Sequence, residues 1–152
     1  MELKKFEVSD LFGSLNHVVN FPTTTRAVQR PAVVIIHGRN GVGKTTLLRM
    51  LDGIIRLDFK TFRNIPFTDA KLTFDNGKII KVVAKKIGGI LQSIQVTYNK
   101  IEASLNPTQS GPLTESDEIS VAKFRESFFA DTIGIAFEYI DIERLNRREL
   151  SP

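Results

Sequence analysis

The sequence predicts an α/β domain in which a mixed sheet surrounds one central helix and continues into an antiparallel β meander. A continuous apolar, largely β-branched run, residues 32–36, is typical of a strand buried on both faces. A glycine-rich loop and then an amphipathic segment with apolar residues at helical spacing follow this run. Farther along the chain, glycine turn signals separate short runs that favour antiparallel strands.

Two short strands are expected before the buried run. Residues 3–8 alternate imperfectly between apolar and polar side chains, and residues 17–21 form a second apolar run. The stretch between them, residues 9–13, is turn-like because it contains serine, aspartate and glycine. A polar stretch then leads to the run at 32–36.

The helix after the glycine loop is predicted to begin near Lys44 and to end near Arg56. Its apolar residues recur at helical spacing and form one face, made of Leu47, Leu48, Leu51, Ile54 and Ile55. We therefore expect this face to pack against the sheet.

The middle of the chain carries the meander. Asn76-Gly77 lies between residues 71–74 and 78–83, and this dipeptide is typical of a tight type I′ hairpin turn. A second turn is indicated by Gly88-Gly89 and is followed by a predicted strand at residues 91–98.

The last third is predicted to contain a loop, a helix and a strand. Residues 106–112 are rich in proline, glycine and serine, and Thr114 or Ser116 could cap a helix that runs to about Ala130. Its expected buried residues are Ile119, Phe124 and Phe128. The apolar run 133–142 predicts a final strand, and the polar end 144–152 matches no pattern.

Composition excludes several function classes. The 152 residues suffice for one domain or lobe, and no run approaches the roughly 18 apolar residues of a membrane span. The absence of cysteine excludes disulfides, thiol catalysis and cysteine-ligated zinc, and His17 and His37 are isolated. Because the first residues also lack a secretory signal, a cytoplasmic location is expected.

Charge is distributed unevenly along the chain. Residues 1–100 contain 16 Lys and Arg against 7 Asp and Glu, whereas residues 101–152 are net acidic and the whole chain is +4. Such asymmetry is a signature of nucleic-acid binding on the basic part, so DNA is a possible partner. Solvated lysines on strands and loops are the alternative interpretation.

The glycine loop fits the phosphate-binding pattern G-x-x-x-x-G-K-[ST] at every fixed position. Its flanks also fit, because an apolar run precedes it and an amphipathic helix follows. The candidate nucleotide-binding residues are Gly38, Arg39, Asn40, Gly41, Val42, Gly43, Lys44, Thr45 and Thr46. The alternative is a glycine turn that joins a strand to a helix by coincidence.

The spacing of this motif has a physical basis. Glycines allow the backbone N–H groups to surround a phosphate, and the helix N-terminus adds partial positive charge. Lys44 can reach the β- and γ-phosphates, Thr45 can ligate Mg²⁺ through its hydroxyl, and Thr46 can donate to the α-phosphate. His37 and Arg39 are weaker candidates for contact with the nucleotide, since a packing histidine and a solvent-facing arginine are equally compatible with the pattern.

Residues 38–49, Gly-Arg-Asn-Gly-Val-Gly-Lys-Thr-Thr-Leu-Leu-Arg, resemble the Walker A segment of ABC-type ATPase heads. The similarity extends to AAA/ABC ATPases of recombination repair, chromosome maintenance and phage defence, including the overcoming-lysogenization-defect type. Residues 3–21 are similar to the opening of such heads, residues 71–98 to their antiparallel lobe, and residues 139–145 to the strand before their helical insertion.

This resemblance implies a P-loop NTPase half-domain of the ABC type that binds ATP with Mg²⁺. Such heads work as ATP-switched dimers, in which each Walker A segment faces a signature loop of the partner. The sequence contains no signature loop and no apolar run that ends in the Asp-Glu pair of a Walker B strand. Asp141 and Glu143 are the weak candidates for that role, since they are not adjacent and would share one face of a strand.

The whole chain, residues 1–152, is therefore expected to be an incomplete N-terminal lobe. It is expected to form a homodimer or to pair with a C-terminal ATPase half. It is expected to hydrolyse ATP only when the missing Walker B strand and signature loop are supplied, and to be inactive alone. Two other hypotheses remain open, a self-contained small P-loop NTPase or kinase and a non-catalytic nucleotide-binding module. Arg144, Arg147 and Arg148 could serve a kinase lid, although no second kinase motif accompanies them.

Overall fold

The computed structural model describes residues 1–22, 33–105 and 115–132 of the chain. Six of its strands form one sheet in the order β2-β1-β3-β4-β5-β6, and each neighbouring pair is antiparallel. The strands are β1 Leu3–Leu11, β2 Leu15–Asn20, β3 Asp69–Phe74, β4 Ile79–Ile87, β5 Ile90–Tyr98 and β6 Ile101–Leu105. The predicted meander is thus confirmed, but the described sheet is antiparallel rather than mixed.

Two α-helices and one short 3-10 helix accompany the sheet. These are α1 Lys44–Ile55, the 3-10 helix Phe59–Phe62 and α2 Glu115–Thr132. The predicted bounds of α1 are confirmed, because Arg56 is its C-cap. The 3-10 helix and β6 were not predicted.

One face of the sheet is buried and the other is solvated. Along β3 the burial alternates strictly, with Ala70, Leu72 and Phe74 buried and the residues between them partly exposed. This alternation is the period-2 pattern of an antiparallel strand with one covered face. The two helices and the 3-10 helix contribute to the same hydrophobic core as this covered face.

Helix α1 enters the core through a slightly different face from the predicted one. Leu47, Leu51 and Ile54 are buried as expected, whereas Leu48 and Ile55 are only half-buried. Met50 and Gly53 are buried as well, so the buried face is rotated relative to the predicted one. A Cβ placed on Gly53 would come within 3.2–3.3 Å of Asp58, Thr61 and Phe62, so the helix approaches the 3-10 segment closely at this residue.

An aromatic cluster joins α2 to the sheet. Phe124 and Phe128 are buried, as predicted, and both make edge-on contacts with Tyr98 at ring-centroid distances of 6.1 and 5.4 Å. Phe124 also packs edge-on against Phe59 of the 3-10 helix at 5.9 Å. Edge-to-face rings at these distances stabilise beyond their buried area. The predicted strand at 133–142 lies outside the described residues.

The hairpin between β3 and β4 has a different turn from the expected type I′ turn. Gly77 has φ 82°, but Asn76 is not among the residues with positive φ. The carboxylate of Asp75 accepts the N–H groups of Glu2 and Asn76 at 2.9 and 2.8 Å, and the side chain of Asn76 accepts the N–H of Lys78. These local bonds stabilise a type I turn closed by a left-handed glycine, which a two-residue pattern does not anticipate.

The hydrogen bonds of that turn also affect acidity. The N–H of Glu2 makes the largest contribution to stabilising the ionised carboxylate of Asp75 and lowers its pKa. Burial opposes this effect, and the N–H of Asn76 adds a smaller lowering contribution. A carboxyl whose folded pKa is lowered stabilises the fold above its unfolded pKa. Its contribution is lost as the pH falls through the folded value.

The predicted buried strand before the glycine loop is wrong for residues 33–36. These residues form no strand, and Val33 and Ile35 are 79% and 81% exposed. A run buried on both faces needs a neighbouring strand on each side, and no strand of the described sheet lies beside this run. Only Ile36 packs against the core.

We expect substitution of this exposed run to leave the free energy of unfolding nearly unchanged. Ile35→Thr should change it by less than about 0.5 kcal/mol, because the side chain is in solvent. Leu72→Ala, at a fully buried position of β3, should cost about 2–5 kcal/mol. Urea unfolding followed by circular dichroism measures both, and a large loss for Ile35→Thr would show that the run is covered in solution.

Candidate functional site

The phosphate-binding motif lies on the surface, between the exposed run and the start of α1. Gly41 and Gly43 have φ values of 86° and 83°, a left-handed conformation that side chains rarely adopt. Arg39 and Asn40 are exposed, while Val42 and Gly43 are half-buried. The glycines of the motif are therefore required by the backbone at the two positions where the loop turns into the helix.

The ammonium group of Lys44 is held over this loop. Its Nζ donates to the carbonyl oxygens of Gly38 and Arg39 at 2.9 and 2.8 Å. The lysine thus closes the loop into a ring from the first residue of α1 back to the first residue of the motif. A cation fixed in this way is available to an anion that enters the loop.

The N-terminus of α1 adds a second source of positive potential. The N-cap is Gly43, which has no side chain to cap the helix, and the first turn contains no acidic residue. The first backbone N–H that bonds back along the helix is that of Leu47, to Gly43 at 2.8 Å. The preceding N–H groups have no partner within the helix, so they and the helix dipole favour an anion here.

Gly43 is also the point where the loop meets the sheet. A Cβ built on it would lie 2.8 Å from Cδ2 of Leu11 and 3.2 Å from Cε2 of Phe12. A Cβ at the shorter distance would force the side chain of Leu11 to shift, and the φ of 83° itself disfavours any side chain at this position. The turn between β1 and β2 is therefore packed directly against the phosphate loop.

That turn is held in place by the segment before β3. The N–H of Phe12 donates to the carbonyl of Pro66 at 2.8 Å, and the hydroxyl of Thr68 donates to the carboxylate of Asp10 at 2.9 Å. Asp10 and Phe12 both have left-handed backbones, with φ 53° and 56°. Non-glycine residues hold this conformation only when their surroundings fix it, and such residues are enriched at functional sites.

Phe12 is the site residue that the sequence analysis did not assign. Its ring is 47% exposed although it touches the loop at Gly43. No local motif marks it, since the contact joins residues that are far apart in the chain. An aromatic ring that remains accessible beside a phosphate loop offers a face on which a base can stack.

The other predicted residues are distributed as follows. Thr45 is exposed and Thr46 is half-buried at the start of α1, where the motif requires them. His37 is exposed and stands next to the loop. Asp141 and Glu143, the weak Walker B candidates, lie outside the described residues.

The residues present fit a magnesium-bound triphosphate. Phosphates are bound by N–H groups, a lysine and a helix N-terminus, and the described loop combines all three. Magnesium prefers hydroxyl and phosphate oxygens together with water, and the exposed hydroxyl of Thr45 is of this kind. Within the part of the chain that the structure describes, no group of three or more His, Cys, Asp or Glu could hold a metal by itself.

The family model described as ABC transporter matches residues 23–149, which include the whole phosphate loop and α1. The chain belongs to this family. Membership implies a P-loop NTPase fold and an ABC-type ATPase domain that binds ATP, as ABC ATPase domains generally do with Mg²⁺. No curated protein matched the sequence.

Among the described helices, none is long and apolar enough to cross a membrane. The described sheet is the antiparallel meander and its N-terminal hairpin, and the phosphate loop joins it at Gly43 rather than through a strand.

A pair of glycine substitutions separates backbone strain from close packing at this site. Gly41→Ala should cost about 1 kcal/mol of stability, because φ is 86° but nothing lies within 4 Å of the added Cβ. Gly43→Ala has the same strain and also forces the Cβ into Leu11, so it should cost about 1–3 kcal/mol more. Urea unfolding of the two variants gives the difference. Equal losses would mean that the loop is not packed against the β1–β2 turn.

Proposed function

We propose that the chain binds Mg²⁺-ATP through residues 38–46 and acts as the nucleotide-binding part of an ABC-type ATPase. The observation that carries this proposal is the position of Lys44, whose Nζ lies 2.9 and 2.8 Å from two carbonyls of the loop above an uncapped helix N-terminus. The family match supplies the choice of nucleotide, since the loop by itself recognises phosphates.

Each loop residue has an assigned role in this proposal. Lys44 would leave its carbonyl partners and neutralise the β- and γ-phosphates, while the N–H groups at the start of α1 bind the same oxygens. Thr45 would hold the magnesium ion through its hydroxyl, and Thr46 would donate to the α-phosphate. The bound ion supplies charge neutralisation between the β- and γ-phosphates.

We also assign base contact to Phe12. The β1–β2 turn fixes its backbone through the bond to Pro66, and its half-exposed ring lies against Gly43. Stacking of a purine on this ring would orient the nucleotide with its phosphates in the loop. Stacking alone does not distinguish adenine from guanine, so the preference for ATP rests on the family.

Water activation is the step that the described residues do not provide. The first turn of α1 carries no acid, and the described ranges contain no cluster of acidic residues. We propose that the carboxylates that orient the attacking water, together with the signature loop, come from a partner. That partner would be a C-terminal ATPase half, since the sequence has no signature loop that a second copy of the chain could supply.

The exposed run at residues 33–36 supports this assembly. Val33, Val34 and Ile35 are exposed apolar residues that continue directly into the phosphate loop. β-Branched residues of this kind are most stable in a strand that is covered on both faces. A complementary strand would cover them and would bring catalytic groups close to the nucleotide.

The biological process is proposed on the resemblance of the sequence alone. ABC-type heads similar to residues 38–49 act in DNA repair, chromosome maintenance and phage defence, and this chain would serve the same kind of process. The basic character of residues 1–100 agrees with a role on nucleic acid.

Lys44→Ala is expected to weaken binding of Mg²⁺-ATP by about 10- to 100-fold, because charge-assisted bonds to phosphate contribute about 1.5–3 kcal/mol. Thr45→Val should reduce the effect of Mg²⁺ on affinity while leaving metal-free binding nearly unchanged. Titration of a fluorescent ATP analogue with and without Mg²⁺ measures both. Lys86→Ala, at an exposed position of β4, is the matched control and should bind as the parent chain does.

ATP turnover by the same protein preparation tests whether a partner supplies the catalytic carboxylates. If the catalytic carboxylates come from a partner, the chain alone should turn over ATP far more slowly than about 1 s⁻¹. Lys44-dependent turnover at or above that rate would show that the chain carries its own catalytic acids. Transfer of phosphate to a nucleoside monophosphate would favour a kinase instead.

Phe12→Leu should lower the affinity for ATP by about 5- to 100-fold, because base stacking on an aromatic ring contributes roughly 1–3 kcal/mol. Leucine keeps an apolar contact with Gly43, so the loop itself should be preserved. Inorganic triphosphate, which has no base, should compete with ATP equally well for binding to the parent chain and to the Phe12→Leu variant. An equal loss of triphosphate affinity would mean that Phe12 shapes the loop and does not contact the base.

A further inference from the structure

A second basic site lies at the end of the sheet formed by the β3–β4 and β5–β6 turns. An open cavity of about 470 Å³ is present there, which we call the distal cavity. Its polar lining consists of Asn76, Lys78, Lys81, Thr97, Asn99 and Lys100. Gly77 and Ile79 complete the lining, which contains no aromatic residue.

The distal cavity is separate from the phosphate loop. Strand β1 connects the two ends of the sheet, with Leu11 against Gly43 at one end and Leu3 opposite Phe74 at the other. Eight residues of strand separate Leu3 from Leu11, a span of about 25 Å. A ligand in the distal cavity would therefore not touch a nucleotide in the loop.

The arrangement of lysines around this cavity is not explained by folding. Lys71 and Lys81 lie directly opposite each other on β3 and β4, and like charges in this position destabilise a sheet. Glu7 lies 3.9 Å from Lys71 and also pairs with Lys5 at 2.8 Å, so it offsets Lys71 in part. Lys81 has no carboxylate within 4.0 Å in the described ranges.

The turn between β5 and β6 is also costly. Asn99 and Lys100 have φ values of 50° and 69°, as a type I′ turn requires, but the second position of such a turn strongly prefers glycine. The left-handed backbone fixes the position of the Cα and Cβ of Lys100 on the cavity rim, and its side chain is exposed there. Strain of this kind is typical of positions where function selects the side chain.

Acidic residues lie around the cavity but do not line it. Asp75 adjoins the lining and keeps its negative charge, because the N–H groups of Glu2 and Asn76 that its carboxylate accepts lower its pKa. Glu102 stands opposite Thr97 on β6 and is exposed. The lining itself carries lysines and no carboxylate, and Lys81 and Lys100 are exposed on it.

We propose that the distal cavity binds the phosphodiester backbone of a nucleic acid. Lys81 and Lys100 would each contact a phosphate through the ammonium group. Contacts of this type carry no sequence information, so binding would be insensitive to base sequence and strongly dependent on salt. The proposal does not depend on ATP binding at the loop.

The test measures anisotropy of a labelled 20-base-pair DNA duplex over a series of salt concentrations. The slope of log K against log salt is negative, and Lys81→Gln and Lys100→Gln should each reduce its magnitude by about 0.9. This change corresponds to about eightfold weaker binding at 0.1 M salt. The double variant should lose about 60-fold by the same relation. A duplex of unrelated sequence should give the same values.

Lys85→Gln is the matched control, because Lys85 is exposed on the same strand and face but lies outside the cavity. It should bind the duplex nearly as well as the parent chain. Lys44→Ala should also keep duplex binding, which separates this site from the phosphate loop. A duplex RNA of the same length distinguishes recognition of any phosphodiester backbone from recognition of the DNA form.

Three results would overturn the proposal. The first is an affinity for both duplexes that does not depend on salt or cannot be detected at about 50 mM salt. The second is an equal loss in Lys85→Gln, which would indicate a diffuse effect of net charge. The third is loss of duplex binding in Lys44→Ala, which would place the nucleic acid in the phosphate loop.

Discussion

The close approach of Gly43 to Leu11 and Phe12 is the contact on which the candidate site depends. In the described structure the phosphate loop is not attached to the sheet through a paired strand, since residues 33–36 form none. Because Gly43 has no Cβ, the start of α1 packs directly against the β1–β2 turn, and this contact joins the loop to the sheet. The position of the anion-binding N–H groups relative to the β1–β2 turn thus depends on packing at Gly43, while the buried residues of α1 fix the helix against the core.

Two further sets of contacts hold the phosphate loop and the β1–β2 turn together. The turn itself is bound to the segment before β3 through Pro66 and Thr68, so it cannot shift without disturbing the sheet. Helix α1 is held at its other end, where Gly53 packs against the 3-10 helix. Because both ends of α1 are constrained at glycines, small side chains are needed at each for reasons of space, and at Gly43 also for the backbone.

Local patterns predicted the local features of this chain. The motif and the apolar spacing predicted α1 to within a residue, because a helix is specified by its own residues and its caps. The meander was predicted for a similar reason, since its strands are joined by short turns. The type of the β3–β4 turn was predicted wrongly, because the Asp75 carboxylate selects a geometry that the Asn-Gly pair alone does not specify.

Features that depend on distant partners could not be predicted in this way. The run at 32–36 has the composition of a buried strand, but burial requires neighbours, and the described sheet provides none for residues 33–36. Phe12 carries no motif, because its importance comes from touching Gly43, 31 positions later in the chain. The short strand β6 was missed because its five residues fall between a strong strand and a loop.

The exposed run has a consequence for how two sites on this domain could communicate. The sheet between the phosphate loop and the distal cavity is a continuous antiparallel ladder. A sheet with only one arrangement carries little energetic coupling between two binding sites. Coupling between two ligands requires an element with two states of similar energy. In the proposed assembly the run at 33–36 would be such an element, because it is exposed here and a complementary strand would cover it. The run at 33–36 continues into the loop at Gly38, so covering the run would affect the nucleotide site directly. An effect on the distal cavity would require the assembled partner.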